Sequence, residues 1–203
     1  MLKTKIAVLV SGGGTNLQAL IDAERDGIIH SGKIGLVLSN KKDAYALTRA
    51  ENAGIPTATV LRSECADAAK FESKIIETLD SCGIELIVLA GFMSILSESF
   101  TSHYRDRIIN VHPSLIPSFC GKGFYGLHVH EAALAYGVKV SGATVHFVNE
   151  IPDGGKIIMQ RAVEVKDGDT PEVLQRRIME EAEWKILPAA CEKVSAELLA
   201  RKN

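Results

Sequence analysis

Alternating strands and helices joined by short links predict an α/β fold. The expected form is a Rossmann-like, doubly wound, mostly parallel sheet with an antiparallel carboxy-terminal part. Three observations carry this. Lys5 to Val10 (KIAVLV) is a nearly continuous apolar run of the kind a buried parallel strand needs. It ends at Ser11-Gly12-Gly13-Gly14, and Leu17, Leu20 and Ile21 follow at helical spacing. The same strand-then-helix pattern recurs as far as Ala90.

In chain order, Asn16 to Arg25 is the first helix, ended by Gly27. Ile34 to Ser39 is a strand, and Ala44 to Ala53 a helix closed by Gly54. Thr57 to Leu61 is a strand, Ala68 to Ser81 a helix closed by Gly83, and Glu85 to Ala90 (ELIVLA) another buried strand. Such short links predict parallel βαβ units. The second half reads differently. Arg107 to Val111 is a strand running into His112-Pro113, Ser114 to Gly126 reads as a loop, and His130 to Tyr136 is a short helix ended by Gly137. Val140 to Val148 alternates, with Val140, Gly142, Thr144, His146 and Val148 on one face. Lys156 to Val165 should run antiparallel to it across the Pro152-Asp153-Gly154-Gly155 turn. Thr170 can cap a last helix with Pro171 at its first position. Val173, Leu174, Ile178 and Ala182 share one face of that helix, and Pro188 should bend or break it.

The chain has 203 residues, 46% of them hydrophobic, so burial can offset the entropy of ordering. No repeat, linker or low-complexity tract divides it, and one domain over residues 1–203 is expected. A net charge of −2 argues against a general nucleic-acid or anionic-membrane binder, which needs a basic face. It leaves room for a local phosphate pocket. Cys65, Cys82, Cys120 and Cys191 form no Cys-x-x-Cys pair, which removes a zinc knuckle or redox motif and fits a reducing compartment. The first strand begins within a few residues of Met1, and no apolar run reaches the roughly 18 residues of a membrane span. A cytoplasmic protein is expected; oligomeric state is left open.

Ser11-Gly12-Gly13-Gly14-Thr15-Asn16 stands between the first strand and first helix. Free backbone N–H groups at a helix start, with small residues allowing close approach, make an anion site. The alternative is a plain tight turn, but three successive glycines exceed what a turn needs. Glycine is absent at Leu17 and Ser39-Asn40 replace an acidic strand end, which disfavours a dinucleotide. No P-loop lysine is present either. A phosphoribosyl group fits better.

Asn110 and His112 lie two apart at a strand end, so both side chains project to one side. In a doubly wound sheet, ligands gather beyond the strands' carboxyl ends. There an amide N–H and an imidazole could both donate to the oxyanion of an acyl transfer, and the imidazole could carry protons. A buried, hydrogen-bonded pair supporting a loop is the other reading. Asp153, far along the chain, could orient the imidazole or a proton-carrying water, or could simply form its turn.

These motifs occur together in a known family. Gly14-Thr15-Asn16, Leu89-Ala90-Gly91-Phe92-Met93, Asn110-x-His112-Pro113-Ser114-Leu115, Val145-His146-Phe147-Val148 and Asp153-Gly154-Gly155 follow one another here. In that order they resemble those of the phosphoribosylglycinamide formyltransferases. The likeness runs from the first strand to the last helix. It implies a formyltransferase fold without metal. It also implies transfer of the formyl group of 10-formyltetrahydrofolate, the cosubstrate, to the amine of glycinamide ribonucleotide in purine synthesis. Residue by residue, it makes Asn110, His112 and Asp153 the catalytic trio. His112 would stabilise the oxyanion and pass protons, Asn110 would donate to the formyl oxygen, and Asp153 would hold His112 and a water. Gly14, Thr15 and Asn16 match the phosphate end of the nucleotide site, and Glu183 the residue on its ribose. Met93, Ser94, Ile95 and Leu96 match the wall that reads the folate pteridine, through the backbone of Met93, Ile95 and Leu96.

Some positions depart from the family. Ser94 stands where some members have arginine, and Ala68 about where others have one near the folate tail, a place Lys70 or Arg62 could fill. The loop from Ser118 to Gly126 is longer than in some relatives and has Cys120 where proline is common.

Other candidates read as structural. His128 and His130 lack a matching Cys or carboxylate set for a metal, and more simply cap a helix or line the pocket. His146 reads as a hydrogen-bonded residue of the core and Trp184 as a core aromatic. Three rival functions remain. Methionyl-tRNA formyltransferases add a basic domain for tRNA, and formyltetrahydrofolate hydrolases a regulatory domain ahead of the first strand. A non-enzymatic nucleotide module would have no use for Asn110, His112 and Asp153 together.

Overall fold

The structure, a computed structural model, describes residues 2–202. Strands β1 (Thr4–Val10), β2 (Gly32–Ser39), β3 (Thr57–Thr59), β4 (Leu86–Leu89), β5 (Ile108–His112), β6 (Val140–Phe147) and β7 (Ile157–Glu164) form one sheet in the order β3-β2-β1-β4-β5-β6-β7. The pairs from β3 to β5 are parallel, while β5–β6 and β6–β7 are antiparallel. Helices α1 (Thr15–Arg25), α2 (Tyr45–Asn52), α3 (Ala68–Ser81), α4 (Glu98–His103), α5 (Leu127–Tyr136), α6 (Pro171–Ile178) and α7 (Trp184–Ala200) cover its two faces.

The two-residue period of β1 divides the core. Ile6, Val8 and Val10 pack with Leu17 and Leu20 of α1, Ala46 and Ala50 of α2, and the carboxy-terminal helices. Ala7 and Leu9 point the other way, against Phe71, Ile75 and Leu79 of α3 and Phe100 of α4. Burial on both faces is why these strands read as continuous apolar runs. From β1 the chain first builds outward to β2 and β3, then returns to place β4 on the other side of β1. The crevice beyond the carboxyl ends of β1 and β4 is therefore a topological switch point, flanked by the glycine loop after β1 and the end of β5.

Several expectations need adjusting. Strand β3 stops at Thr59, although Val60 N–H still reaches Ser39 O at 3.0 Å before the chain turns at Arg62. Helix α4 was not expected; Ser97 caps its six residues by accepting from Phe100 N–H. Helix α5 begins three residues before His130. Thr170 caps α6 as expected, but Val173 is half exposed while Leu174, Ile178 and Ala182 are buried. Pro188 does not break the last helix. A π-helical turn over Met179–Glu183 precedes α7, and Pro188 falls at the fifth residue of α7, inside the helix, without ending it. No helix among the described residues is long and apolar enough to cross a membrane.

Candidate active site

The catalytic candidates come from three segments. Asn110 and His112 end β5, and antiparallel pairing sets Asn110 opposite His146 and His112 opposite Thr144 of β6. The hairpin after β6 then carries Asp153 back over the strand ends. Asp153 holds φ +57, a left-handed conformation that an Asp tolerates better than most residues. Gly155 beside it has no alternative, because a Cβ there would stand 1.7 Å from Phe147 O.

These side chains form a closed polar network. Asp153 Oδ2 lies 3.5 Å from His112 Nδ1, and Oδ1 lies 3.5 Å from His146 Nε2. His146 Nε2 also meets Asn110 Nδ2 at 3.2 Å, and its Nδ1 donates to Phe147 O at 2.8 Å. That carbonyl can only accept, so it fixes a proton on Nδ1, while Nε2 lies between the Asn110 amide and Asp153 Oδ1. The loop before α5 also reaches the network. His112 Nε2 donates to Phe119 O at 2.9 Å, and Gly121 N–H donates to Asp153 Oδ2 at 2.9 Å. A carbonyl can only accept, so His112 carries its proton on Nε2.

Burial pushes the His112 imidazolium down, and although Asp153 and the Phe119 carbonyl favour it, the ring titrates below its ordinary value. Burial opposes the Asp153 carboxylate as well, yet His146, His112 and the Gly121 N–H outweigh it and keep Asp153 ionised. Burial, with the Asp153 charge, raises the Cys120 thiol, so it stays protonated and is a poor nucleophile. His130, fully buried with neither ring nitrogen bonded to a protein group, is pushed down to about 4 by burial and by His112. Rather than capping a helix or lining the pocket, it is a buried, neutral ring within α5. His128 is exposed and pairs with Glu131. Among the described residues no cluster of His, Cys, Asp or Glu is arranged to hold a metal ion.

At the glycine loop, no side chain caps α1, so its first N–H groups remain open to an anion. The reason for Gly14 differs from the expected one. It adopts φ +74, and a Cβ there would stand 2.6 Å from Ala46 Cβ, so this glycine makes room for α2. Gly12 and Gly13 are the two with open space around them. Asn16 Nδ2 donates to Glu183 Oε2 at 2.7 Å, which brings the helix start and the π-helical turn together. Burial raises Glu183 to about 7, against the favourable Asn16 contact.

The segment Met93–Leu96 is held at several points. Met93 N–H donates to Ser11 Oγ at 2.8 Å, and Asn40 Nδ2 donates to Ser94 Oγ at 3.0 Å. Just beyond it, Glu72 accepts from both the N–H and the hydroxyl of Ser97. Leu96 is buried in the core, whereas Met93 and Ile95 are exposed. These anchors come from distant parts of the chain and left no mark in the local sequence pattern.

The family model described as formyl transferase matches residues 4–191. The phosphoribosylglycinamide formyltransferase of Haemophilus influenzae is 44% identical over 91% of this chain and 84% of its own length. The human trifunctional purine biosynthetic protein adenosine-3 is 45% identical over 96% of this chain, which spans only 18% of that protein. Among solved structures, glycinamide ribonucleotide transformylase 1 of Symbiobacterium toebii superposes with a TM-score of 0.90 at 40% identity, covering 96% of this chain and 89% of that one.

Proposed function

We propose, from the premise that the chain belongs to the formyl transferase family, that it is a phosphoribosylglycinamide formyltransferase. It moves the formyl group of a folate donor, 10-formyltetrahydrofolate, to the glycinamide amine of glycinamide ribonucleotide. The observation that carries this reading is the meeting of Asn110, His112 and Asp153 at the β5 end, in one network with His146. Residues 1–203 act as one catalytic domain on two small molecules, in the cytoplasm.

When the amine attacks the formyl carbon, charge develops on the formyl oxygen. The Asn110 amide and the His112 Nε2–H are the donors for that oxygen. The Phe119 carbonyl now takes the His112 proton at 2.9 Å, an acceptor position the oxyanion would occupy once the loop gives way. The amine must shed a proton and the folate nitrogen must gain one. Asp153, ionised and within 3.5 Å of His112, can hold the water that carries it. Neutral His112 enters as a donor already bearing the needed proton on Nε2. Gly14, Thr15 and Asn16 hold the phosphate through the helix start, Glu183 takes the ribose, and the Met93–Leu96 backbone with Ser94 takes the pteridine.

The test follows folate absorbance with purified protein and 10-formyltetrahydrofolate. A change that requires glycinamide ribonucleotide is expected. A change equally fast without it would identify a hydrolase, and no change in either case would overturn the reading.

A further inference from the structure

A run of three glycines creates a difficulty. Gly12 and Gly13 have nothing within 4 Å of where a Cβ would stand, so sterics alone do not decide which way their peptide units face. An anion site needs the N–H groups turned inward. A flipped unit would instead present a carbonyl oxygen to the phosphate.

The neighbouring helix supplies the missing constraint. Ala46 N–H, an unpaired donor of the first turn of α2, bonds Gly12 O at 3.1 Å. Arg49 Nε, one turn further along, bonds Gly13 O at 2.9 Å. In a trans peptide the C=O and the following N–H point in opposite directions. Holding both carbonyls toward α2 therefore turns the N–H groups of Gly13 and Gly14 away from it. That direction is the crevice, because α2 follows β2 on one side of β1 while β4 and β5 lie on the other. The Arg49 fork is itself fixed. Its Nη1 donates to Gln18 Oε1 at 3.1 Å on α1, and its guanidinium lies over the Tyr45 ring at 5.0 Å.

We propose that Arg49 is a positioning residue for the nucleotide phosphate: it fixes the Gly13–Gly14 peptide so that its N–H faces the anion. It acts by orienting the backbone, not by touching the ligand. This rests on the proposal that the glycine loop holds the phosphate.

The experiment compares calorimetric affinities of glycinamide ribonucleotide and of its riboside lacking the phosphate, for wild type, Arg49→Gln and Arg49→Lys. Wild type should prefer the phosphorylated ligand. Both variants should lose about tenfold or more of that preference, with riboside affinity unchanged. Lysine keeps the charge but not the planar fork, so it should fail almost as badly as glutamine. In steady state the nucleotide KM should rise while kcat holds. Tyr45→Leu, which removes only the stacking surface, should show a smaller loss in the same direction. Wild-type preference retained in Arg49→Lys would mean that charge alone acts, and retention in Arg49→Gln would mean no role at all; either overturns the inference. A wild-type protein that does not distinguish the two ligands would instead overturn the phosphate reading on which it rests.

Discussion

At the glycine-loop end of the crevice, the groups proposed to meet a ligand are backbone N–H groups, set by a helix start and by the carbonyl contacts behind it. At the β5–β6 end they are side chains, gathered from two strands and a hairpin and linked through Asp153. A backbone site tolerates little change in the chain's path, while a side-chain site can keep its path and lose its chemistry. The ends also differ in the charge state they favour. Burial keeps Glu183 protonated up to about 7, whereas burial keeps His112 and His130 unprotonated. One end is therefore destabilised by alkali and the other by acid.

The catalytic end can be broken most completely. His112→Ala removes the proposed donor to the developing charge, and kcat should fall by roughly 10²–10³. The nucleotide KM should hold, because the proposed phosphate contacts lie at the other end. Steady-state kinetics decide; a wild-type kcat would leave Asn110 as the only donor that matters.

The proposed nucleotide end answers to pH. Glu183 ionises near 7 in the folded chain and near 4.5 when unfolded. Its stabilising share is thus complete below about 4.5 and is lost as pH rises through about 7, for a total of about 3 kcal/mol. Glu183→Gln cannot ionise and lacks that loss. The melting temperature of wild type relative to this variant should fall between about pH 5 and pH 8. A difference that stays constant would mean that Glu183 is already ionised in the fold.

The two ends were unequally legible in the sequence. Strands β1 and β4 stood out because burial on both faces demands unbroken apolar runs, and Ala68–Ser81 matched its helix to the residue. The glycine loop and the Asn110–His112 pair could be located by local spacing. What joins them could not. The Asn16–Glu183 and Asn110–His146 bonds span 167 and 36 positions. Helix α4 escaped notice because six residues are too few for a period to show. Pro188 misled because α7 runs on through it, and the π-helical turn ahead of that helix has no local signature.

Gly14→Ala sharpens the backbone side of the comparison. The left-handed conformation costs an alanine about 1–2 kcal/mol, and the new Cβ would meet Ala46 at 2.6 Å. Nucleotide affinity should fall more than folate affinity in separate titrations. If α2 is the obstacle, adding Ala46→Gly should recover part of the loss, though not all, since Ala46 Cα would remain 2.8 Å from the new Cβ. No recovery would mean that the Ala46 methyl group is not the obstacle.

The smallest expected effect concerns how Asp153 acts on His112. Burial lowers the imidazole, and Asp153 is the larger of the two influences that oppose it. Asp153→Asn keeps the shape and removes the charge, so burial should then be opposed only by the Phe119 carbonyl and His112 should titrate lower still. The consequence for stability has the opposite sign to that at Glu183. A depressed histidine lends stability that is present above its unfolded value near 6.5 and is lost as pH falls through the folded one. In Asp153→Asn that acid loss should deepen, while behaviour above about pH 7 stays as in wild type, where the ring is neutral in both states. Nuclear magnetic resonance of the His112 ring over about pH 4 to 8 reads the shift directly, and thermal unfolding over the same range reads its linkage. A ring that titrates identically in both proteins would show that, at 3.5 Å, Asp153 does not act on His112 as a charge. Its part would then be confined to holding the loop through Gly121 and to the proposed placing of a proton-carrying water.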